Sequence, residues 1–597
     1  GHRVFRRLGD ADVPTFAFTN GLAIGGGVEI GLHCNYRTVI SSLPALGLSE
    51  CYLGLVPGWG GAWLLPNLVG AEAAVTVMVE NPLNSNTLLR APEVMALGLA
   101  DAVFDGADFL AQSLRWAATV VTGETVVARA EPDRGAAWDA ALARGRAIAD
   151  VKTGGAAPAP YRALALIEAA RTSSRDEGFA AEDEALADLL LTDEMRAGVY
   201  TLDLVTKRAK RPAGAPRPTL ARPVTKVGIV GAGLMASQIA LLLARRLQVP
   251  VVLTDVDQAR VDHGVAAVHA EIATLARKGR IRPDAANRLT ALVTGSVSHD
   301  GFTDADLVIE AVFERLDVKK AVFAELESVV RPDCVLATNT SSLSVSAMAA
   351  GLAHPERVVG LHFFNPVAVM PFLEVVRAEA TDDASLATAF AVAKELKKTA
   401  VLVKDSPAFV VNRLLGRWMG EVSRIVDEGT PLPVADGAFA GLAPMPPFML
   451  LGLVGPAVAL HTAVTLHDAF PERFYVSANL RRVVDAGKTA IYTFVDGKPV
   501  VDPEVAALFE TPAEPVELTR EQVRHRVLAA LAEEAQIMLD DGVVAEPADI
   551  DLGLITGAGF SPWNGGLTPL LDRTGIAEQV TGRRFLPEGV ASVACEH

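Results

Sequence analysis

The stretch Lys226–Asp255 reads KVGIVGAGLMASQIALLLARRLQVPVVLTD, and it decides the fold of the central part of the chain. A short apolar run ends in the turn Gly231-Ala-Gly233-x-x-Ala236, an apolar helical pattern follows, and a second apolar run closes on Asp255. This order of strand, glycine-rich turn, helix, strand and acid predicts a βαβ unit that binds a dinucleotide.

Each position of this unit has a physical function. Gly231 lets the strand turn tightly into the helix, and Gly233 leaves room for the backbone to approach a pyrophosphate. Ala236 is small enough for close helix–strand packing, and the free N–H groups of the helix N-terminus bind the diphosphate. Asp255, 24 residues after Gly231, can accept hydrogen bonds from a ribose and repels a 2′-phosphate. The sequence therefore predicts NAD as the cofactor in preference to NADP.

Length and composition restrict the classes of protein to which this chain can belong. The 597 residues suffice for about four domains. Lys+Arg 54 against Asp+Glu 71 gives a net charge of −17, which argues against a nucleic-acid partner and favours a soluble acidic enzyme. The cysteines (Cys34, Cys51, Cys334 and Cys595) lack C-x-x-C spacing, which predicts a reducing, cytoplasmic compartment and no metal site. The longest uncharged run, Ala443–Leu460, contains four prolines, which favours a buried helical corner over a membrane span.

After Asp255 the chain alternates helical patterns with apolar strand patterns. The strand candidates are LVTGSV, DADLVIEAVFE, CVLATNTSSL, RVVGLHFFNP, FLEVV and AVLVKD. This alternation predicts a doubly wound, mostly parallel sheet, which is a Rossmann domain over residues 223–405.

The segments on either side of this domain are helical by pattern. Residues 116–222 are alanine-rich and predict a helical linker, which ends in RPAGAPRPTLARP. Beyond the Rossmann domain, Val410–Gly455 is echoed by Val523–Leu571. The two segments share one interval between a glutamate and a glycine (Glu421…Gly429 and Glu534…Gly542). We therefore predict a duplicated all-helical domain, with copies at 406–510 and 511–597.

A polar pair stands out among the apolar strands. His362 lies in GLHFFNPVAVMPFLEVV, with Glu374 twelve residues further on. Asn365-Pro366 suits a turn, so we expect the chain to double back and bring Glu374 to His362. An imidazole can take a hydroxyl proton as a hydride leaves the carbon, and a carboxylate on its other nitrogen fixes the tautomer. Asn339-Thr340-Ser341-Ser342 also ends a strand, at the edge where ligands of open α/β sheets bind.

Residues 1–115 carry two carboxylates next to glycine-rich turns. Gly25-Gly26-Gly27 opens a helix that contains Glu29, and Glu50 follows 21 residues later. Paired carboxylates can add water across a conjugated double bond, one acting on the water and the other on the proton at the neighbouring carbon. The N–H of Gly26, at the helix N-terminus, can stabilise an enolate-like oxyanion.

NGLAIGGGVEIGLHCNYR and LGLSECYLGLVPGWGG together resemble the enoyl-CoA hydratase (crotonase) family. The resemblance implies that Glu29 and Glu50 are the acid/base pair, that Gly26 is one oxyanion donor, and that the backbone of Gly58 positions the water. Two features depart from the family: the interval between the glutamates is one residue longer, and the first part of the crotonase core is absent. That part supplies the other oxyanion donor and much of the CoA site. We therefore expect an incomplete crotonase-like α/β domain that hydrates poorly unless further residues precede it.

From Lys226 onward, five motifs resemble the L-3-hydroxyacyl-CoA dehydrogenase family: GAGLMASQIA, EAVFERLDVK, TNTSSL, GLHFFNPVAVMPFLEVV and DSPAFVVNRLL. The resemblance implies roles for seven residues by matched position. They are His362 as base, Glu374 as its partner, Ser341 and Asn412 at the reacting oxygen and thioester side of the substrate, and Asp255, Glu314 and Lys319 at NAD. The departures, Ala236, Pro446 and Gly452, lie outside the proton-transfer set.

A crotonase-like segment, a helical linker, a Rossmann domain and a duplicated helical domain, in that order, resemble the α-subunit family of the fatty-acid β-oxidation complex. The leading hypothesis is NAD-dependent oxidation of L-3-hydroxyacyl-CoA to 3-oxoacyl-CoA. One alternative is a bifunctional enzyme that also hydrates enoyl-CoA through Glu29 and Glu50. Another is a non-catalytic NAD-binding scaffold for a thiolase. In this family the subunit pairs with a separate thiolase, so the resemblance implies a thiolase partner and an oligomer.

Overall fold

The N-terminal unit is built on short parallel strands. The computed structural model describes residues 1–443 and 445–593, so Cys595 lies outside the described residues. The strands of this unit are β1 (Phe16–Thr19), β2 (Ala23–Ile24), β3 (Tyr36–Ile40), β4 (Leu46–Gly47) and β5 (Ala102–Phe104). They form a sheet in the order β1-β3-β5 and a separate ladder, β2-β4, and all of these pairs are parallel.

Helices cover these strands. They are α1 (His2–Gly9), α2 (Gly26–His33), α3 (Gly61–Val75), α4 (Asn81–Leu83), α5 (Ala91–Ala96) and α6 (Phe109–Val121). The helical stretch Gly61–Leu83 is long and apolar enough to cross a membrane by length and composition alone, and more than half of it is buried inside the protein. Its backbone kinks at Gly70, which has φ +85°. These features are typical of a core helix.

The segment predicted as a linker is helical, and most of it packs into the N-terminal unit. Its helices are α7 (Ala136–Thr153), α8 (Pro158–Ala169), α9 (Arg175–Leu190) and α10 (Asp193–Thr206). Buried Trp138, Ile167 and Leu189 belong to the same apolar core as Val39 and Leu65. The predicted boundary at residue 115 falls inside α6, so the first structural unit extends through α9 because these helices bury its apolar surface.

The central domain is an eight-stranded sheet with helices between its strands. The strands are β6 (Val227–Val230), β7 (Val251–Thr254), β8 (Val293–Ser296), β9 (Leu307–Glu310), β10 (Val335–Thr338), β11 (Val358–Phe363), β12 (Phe372–Arg377) and β13 (Thr399–Lys404). The helices are α11 (Leu234–Leu247), α12 (Gln258–Arg277), α13 (Pro283–Leu292), α14 (Leu316–Val329), α15 (Val345–Ala349) and α16 (Asp383–Glu395). The order is β13-β12-β11-β10-β9-β6-β7-β8, and only the β11–β12 pairing is antiparallel. The predicted Rossmann architecture is confirmed, and the reversal of strand order beside β6 makes the crevice in which such sheets bind ligands.

The remainder of the described chain is helical apart from one hairpin, β14 (Tyr492–Val495) and β15 (Lys498–Val501). The helices are α17 (Val411–Asp427), α18 (Leu432–Gly437), α19 (Pro447–Val454), α20 (Pro456–Ala469), α21 (Ala478–Asp485), α22 (Pro503–Ala506), α23 (Arg520–Asp540), α24 (Pro547–Gly557), α25 (Thr568–Arg573) and α26 (Ile576–Thr581). The long helices α17 and α23 pack against each other at the centre.

Within the uncharged run Ala443–Leu460, the described residues from Pro447 onward form the predicted helical corner, because α19 and α20 meet at Gly455 with a bend of 102°. The corner is only partly buried. Phe448 and Leu451 lie in the core, whereas Leu453 and Val458 are exposed at its surface. The prolines at the start of both helices fix the bend, since proline is favoured in the first turn and disrupts a helix interior.

Candidate active sites

The glycine-rich turn has the geometry that a dinucleotide requires. Gly231 has φ +111°, and a Cβ there would lie 2.6 Å from the carbonyl oxygen of Ala311, so only glycine fits. A Cβ on Gly233 would meet nothing within 4 Å, which leaves open space beside the N-terminus of α11. Ala236 is fully buried where α11 packs on the sheet. The exposed first turn of α11 thus offers free N–H groups to a diphosphate.

Asp255 follows β7 directly and closes the other side of this crevice. Its carboxylate accepts hydrogen bonds from the N–H groups of Ala232, at 2.9 Å, and Val256, at 2.8 Å. Those bonds hold the side chain beside the glycine-rich turn. The guanidinium of Arg260 lies 3.9 Å from the same carboxylate. The arrangement suits a ribose with free hydroxyls, and Asp255 presents negative charge to a 2′-phosphate.

Glu314 and Lys319 belong to one buried ionic network at the carboxyl ends of β9 and β10. The ammonium of Lys319 donates to both carboxylate oxygens of Glu310, at 2.7 and 2.9 Å, and lies 3.3 Å from Glu314. Lys319 and Glu310 are both fully buried. Lys319 therefore orients Glu314 within the structure, and a direct contact of Lys319 with NAD stays a prediction.

The Glu314 carboxylate also binds the segment after β10 that contains Ser341. One oxygen, Oε1, accepts from the Thr340 hydroxyl at 2.7 Å, from the Ser341 N–H at 2.9 Å and from the Ser341 hydroxyl at 3.2 Å. Burial acts to raise the pKa of Glu314, but the charge of Lys319 and these hydrogen bonds lower it overall. Glu314 is therefore held ionised beside the nucleotide crevice.

His362 and Glu374 are brought together by strand register. The chain doubles back after β11, and His362 pairs directly with Glu374 across the antiparallel β11–β12 ladder. His362 Nδ1 lies 2.6 Å from Glu374 Oε2, and both side chains are buried. In the described residues, His362 Nε2 has no hydrogen-bond partner. With Nδ1–H donating to the carboxylate, Nε2 carries the lone pair and can accept a proton.

A helix N-terminus fixes the second oxygen of Glu374. Glu374 Oε1 accepts hydrogen bonds from the N–H groups of Val410, at 3.1 Å, and Val411, at 3.0 Å, at the start of α17. The positive end of the helix dipole favours a carboxylate at this position. The strand that carries His362 is held as well, because Asn339 Oδ1 accepts from the N–H of Phe363 at 2.9 Å.

Ser341 and Asn412 meet at the mouth of an apolar cavity. The Asn412 amide donates to the carbonyl oxygen of Ser341 at 3.3 Å, which joins the end of β10 to the first turn of α17. Both residues line a cavity of about 210 Å³ that continues along α17 into the helical domain. The other lining residues are mostly apolar: Leu415, Gly416, Met419, Gly420, Ser423, Leu450, Leu451, Val454, Val458, Ala459, Thr462, Ala463, Tyr475, Ser477 and Leu480. A polar mouth with an apolar interior suits a thioester with an aliphatic tail.

In the N-terminal unit, two buried carboxylates share four consecutive N–H groups at the start of α3. Glu29 Oε1 accepts from Trp59, at 2.7 Å, and Gly61, at 2.9 Å. Glu182 of α9 accepts from Gly60, at 2.5 Å, and Ala62, at 2.7 Å. This alternation rigidifies the turn between Glu50 and α3. Burial and the negative charge of Glu182 raise the pKa of Glu29 to about 7.

Glu50 lies beside Gly25, which precedes α2. A Cβ on Gly25 would lie 2.7 Å from Glu50 Oε1, and Glu50 Oε2 is buried without a hydrogen-bond partner in the described residues. Burial, followed by the charge of Glu29, raises the pKa of Glu50 to about 8. The interval between the two glutamates includes the connection 41–45 between β3 and β4. A longer interval can therefore be accommodated in this connection, outside the elements that carry Glu29 and Glu50.

The two predicted backbone positions lie in close packing. Gly26 is the first residue of α2, and the indole of Trp59 packs so closely that a Cβ on Gly26 would lie 2.4 Å from the ring. Gly58 lies against α9, where a Cβ would lie 2.3 Å from Leu186 Cδ2. A larger residue at either position would therefore displace the neighbouring side chain. Their roles as oxyanion donor and water-positioning backbone stay predictions.

Comparison with known proteins assigns these two sites to families. Residues 2–150 match the enoyl-CoA hydratase/isomerase family. Residues 226–406 match the NAD binding domain of 3-hydroxyacyl-CoA dehydrogenase, and residues 409–493 match its C-terminal domain. Fold and site thus define an NAD-dependent 3-hydroxyacyl-CoA dehydrogenase joined to a crotonase-like domain.

The order of these domains is that of a larger fused protein. The chain is 32% identical over 604 residues to the fatty acid oxidation complex subunit alpha of Acinetobacter baumannii (strain SDF), a match that covers 97% of this chain and 83% of the relative. The subunit of the same name from Pseudomonas putida (strain F1) is 32% identical over 603 residues, with the same coverage. The chain belongs to the family of fatty acid oxidation complex alpha subunits.

A solved structure supports the dehydrogenase half. The 3-hydroxybutyryl-CoA dehydrogenase of Escherichia coli K12 superposes with a TM-score of 0.51 at 25% identity, covering 62% of this chain and 98% of that enzyme. The predicted cofactor, NAD, and the predicted reaction class, oxidation of 3-hydroxyacyl-CoA in fatty-acid β-oxidation, are confirmed by these matches.

Sequence reasoning missed three polar residues that the fold brings to the sites. Glu310 was detectable, because it is the acid that ends the apolar strand DADLVIE. Glu182 carries no such signal, since it is one of several acids on α9. Gln238 lies on α11 just after the glycine-rich turn, where it reads as an ordinary polar position of an amphipathic helix.

Proposed function

We propose that His362 is the base that accepts the 3-hydroxyl proton of an L-3-hydroxyacyl-CoA. The observation that carries this proposal is the 2.6 Å contact between His362 Nδ1 and Glu374, which leaves Nε2 available. Glu374 stabilises the imidazolium that forms on proton transfer, and its bonds to the start of α17 keep the carboxylate in place. Such a base contributes about 10²- to 10⁴-fold to rate.

Ser341 and Asn412 position the substrate at this base. Both residues line the cavity along α17, where the Asn412 amide donates to the backbone carbonyl of Ser341, and the Ser341 hydroxyl lies 3.2 Å from Glu314 Oε1. Hydrogen bonds from such groups hold the reacting oxygen and the thioester side of the substrate. We assign the catalytic roles to the His362–Glu374 pair and the binding roles to Ser341 and Asn412.

The residues of the crevice fit NAD. The open space beside Gly233, the free N–H groups of α11 and the carboxylate of Asp255 provide sites for a diphosphate and a ribose. We assign to Glu314, held ionised by Lys319 and by hydrogen bonds from Thr340 and Ser341, the recognition of the nicotinamide ribose or amide. NAD, when bound, accepts the hydride from the substrate carbon.

The cavity along α17 receives the acyl tail in this proposal. From Asn412 to Ser423 it follows three turns of one helix, a distance of about 16 Å. Each methylene buried there contributes about 0.8 kcal/mol, so kcat/KM rises about fourfold per added carbon until the cavity is full. A series of 3-hydroxyacyl-CoA substrates of increasing length measures where that rise ends.

A second activity, hydration of enoyl-CoA, is favoured by the environments of Glu29 and Glu50. Both carboxyl groups have raised pKa values, the charge of Glu29 acts on Glu50, and Glu50 lies beside Gly25 at the N-terminus of α2. At neutral pH, Glu50 is protonated and suited to donate a proton, whereas Glu29 is poised to act as the base on water. Hydration would yield the hydroxyacyl-CoA that the dehydrogenase consumes.

The two helical segments of the C-terminal region are proposed to be copies of one unit. Reciprocal ion pairs support this duplication: Arg413 of α17 pairs with Glu534 of α23, and Arg526 of α23 pairs with Glu421 of α17. In each copy the arginine precedes the glutamate by eight residues. Exchange of equivalent contacts between two helices is the pattern of a two-fold interface. His525 occupies the position in the second copy that Asn412 occupies in the first, so only the first copy has the site residue.

The names of the relatives describe a subunit of a complex. We propose that this chain likewise assembles with a thiolase, which would cleave the 3-oxoacyl-CoA product, and that it acts in the reducing cytoplasm. Light scattering on the purified chain, alone and mixed with a candidate thiolase, measures the assembly. Detection of only the two separate masses, with no heavier species at micromolar concentration, would contradict it.

One assay separates the alternatives. NADH formation is measured from L-3-hydroxybutyryl-CoA and from crotonyl-CoA side by side, each with NAD. Turnover of the hydroxy substrate alone indicates a dehydrogenase without hydratase activity, and turnover of both indicates a bifunctional enzyme. The His362→Ala variant is the control for the scaffold hypothesis. If its turnover equals that of the wild type, the proposed base is wrong.

A further inference from the structure

The connection 364–371, between β11 and β12, follows His362 after a single residue and returns the chain to Glu374. Its position therefore decides where the base and its partner stand relative to the cofactor. Two side chains from other elements hold it. Lys398, at the edge of β13, donates to the carbonyl oxygens of Val367, at 2.5 Å, and Met370. The second is Gln238 of α11.

The Gln238 side chain makes two hydrogen bonds to this connection. Its amide nitrogen donates to Asn365 Oδ1 at 3.1 Å, and its amide oxygen accepts from the N–H of Val367 at 2.7 Å. One side chain thus uses both of its functional groups on residues two positions apart. The connection is otherwise exposed at Asn365, Pro366 and Val369.

Gln238 is the fifth residue of α11, about 6 Å along the axis from the helix N-terminus that faces the dinucleotide crevice. β6, which leads into α11, is separated from β11 by β9 and β10. Three strand spacings amount to about 14 Å across the sheet. The two bonds from Gln238 therefore form a direct link between the element that holds the cofactor and the hairpin that holds the base.

Resting on the proposed function of His362, we propose that Gln238 is a positioning residue, which clamps the His362 hairpin to the dinucleotide-binding helix and so sets the base at its working distance from the cofactor. Hydride and proton leave the same hydroxyl-bearing carbon and oxygen, so both acceptors must hold their positions together. A misplacement of about 1 Å at such a site costs on the order of a hundredfold in rate. Gln238 touches neither proton nor hydride and acts through the hairpin.

Two substitutions test the two hydrogen bonds of the Gln238 side chain separately. Gln238→Met has similar length and removes both, whereas Gln238→Glu keeps an acceptor for the Val367 N–H and loses the donor to Asn365. We expect Gln238→Met to lower kcat for L-3-hydroxybutyryl-CoA by about ten- to a hundredfold while KM for either substrate changes by less than about threefold. Gln238→Glu should fall between Gln238→Met and the wild type. The isotope effect with 3-deuterated substrate should rise in Gln238→Met, because hydride transfer becomes slower.

The matched control is Gln248→Met, at the far end of the same helix, where the side-chain amide bonds only to backbone carbonyls of α11. Turnover in this variant should equal that of the wild type. Hydrogen exchange provides a second readout: the Val367 N–H should exchange faster in Gln238→Met and stay protected in Gln238→Glu. A Gln238→Met enzyme with wild-type kcat, or with a loss no greater than its loss of folded protein, overturns the proposal.

The exchange measurement also distinguishes this proposal from the proposed function. If the wild type oxidises no 3-hydroxyacyl-CoA, the role of His362 fails. Unchanged Val367 exchange in Gln238→Met would instead show that the clamp itself does not exist. A double-variant cycle with Asn365→Ala completes the test, since coupled positions give less than additive losses in kcat and independent positions give additive ones.

Discussion

His362 and Glu374 occupy directly paired positions on two antiparallel strands, and their side chains meet at 2.6 Å in the interior of the protein. Because a slip of one residue in this ladder would turn one side chain to the opposite face of the sheet, register alone selects the partner. The pair is further held by the start of α17. The hydrogen bond between the two side chains and the contacts of Glu374 with α17 thus fix the geometry of this pair.

The first prediction concerns the Glu374 carboxylate. We expect Glu374→Gln to lower kcat for L-3-hydroxybutyryl-CoA by about 10³- to 10⁴-fold, because an amide can donate to Nδ1 and hold the imidazole in the wrong tautomer. Steady-state kinetics measures this loss. NADH binding, followed by fluorescence, should be unchanged and serves as the control for folding. Activity within tenfold of the wild type would show that Glu374 does not orient the base.

The second prediction concerns cofactor choice. Asp255→Ala should raise kcat/KM for NADP relative to NAD by about a hundredfold, because the repulsion of a 2′-phosphate is removed while Arg260, now 3.9 Å from the carboxylate, becomes free to bind it. Initial rates with both cofactors measure the ratio. Asp257→Ala, which removes the other acid beside Arg260, should leave the preference for NAD in place. The same ratio of kcat/KM for NADP to kcat/KM for NAD in Asp255→Ala and Asp257→Ala would contradict the role of Asp255.

The third prediction is the pH dependence of hydration. The reaction requires Glu29 ionised and Glu50 protonated, so crotonyl-CoA hydration should rise through a pH of about 7 and fall above about 8. The two apparent pKa values of this pH–rate profile belong to the coupled pair of carboxyl groups and not to one residue. Hydration is followed by loss of enoyl absorbance across pH 5–10 without NAD. A rate that is flat across pH 6–9 would exclude this pair as the acid and base.

The fourth prediction is a gain of stability on neutralising Glu50. Its pKa is raised in the folded protein from 4.5 to about 8, so the folded state binds more protons than the unfolded state between those values. The free energy of unfolding therefore falls as pH rises through this window. Glu50→Gln removes the effect, and should be more stable than the wild type by on the order of 4 kcal/mol at pH 8 and equally stable near pH 4.

Thermal unfolding of both proteins at several pH values measures this difference. Glu80→Gln is the control, since Glu80 lies at the surface in an ion pair with Arg144. A Tm difference between Glu50→Gln and the wild type that is the same at pH 5 and pH 8 would contradict the expectation.

The fifth prediction tests the interface between the two long helices. Glu534 is fully buried and pairs with Arg413 at 2.5 Å and with Arg473 at 3.1 Å. Removing it leaves buried cations without a partner, so Glu534→Gln should destabilise the helical domain by about 3–5 kcal/mol. The equivalent pair, Arg526 with Glu421, is more exposed, and Arg526→Met should cost about 1 kcal/mol.

Urea denaturation monitored by the buried Trp418 measures both values. The double variant Arg413→Met, Glu534→Leu should recover part of the loss, because no unpaired charge then remains between α17 and α23. Equal destabilisation by Glu534→Gln and Arg526→Met would show that burial does not distinguish the two pairs.

Much of the dehydrogenase could be predicted from local pattern. The Gly231 turn, the acid at Asp255 and the alternation of apolar runs are properties of contiguous residues, so they specify the βαβ unit and the parallel sheet before any long-range contact is known. The turn at Asn365-Pro366 likewise indicates that His362 and Glu374 lie on neighbouring strands. The extent of the N-terminal unit was less predictable, because the helical pattern of α7–α9 does not reveal which surface those helices cover.

The sequence by itself determined the Rossmann fold, the cofactor and the pairing of His362 with Glu374, since each depends on residues close together in the chain. Only the tertiary structure decided which distant groups complete the sites. Glu182 reaches the turn at Trp59 from α9, Lys319 joins Glu310 to Glu314, and Gln238 reaches the His362 hairpin from α11. These contacts arise from how separate elements pack, and side-chain packing across many residues leaves no periodic or local pattern in the sequence.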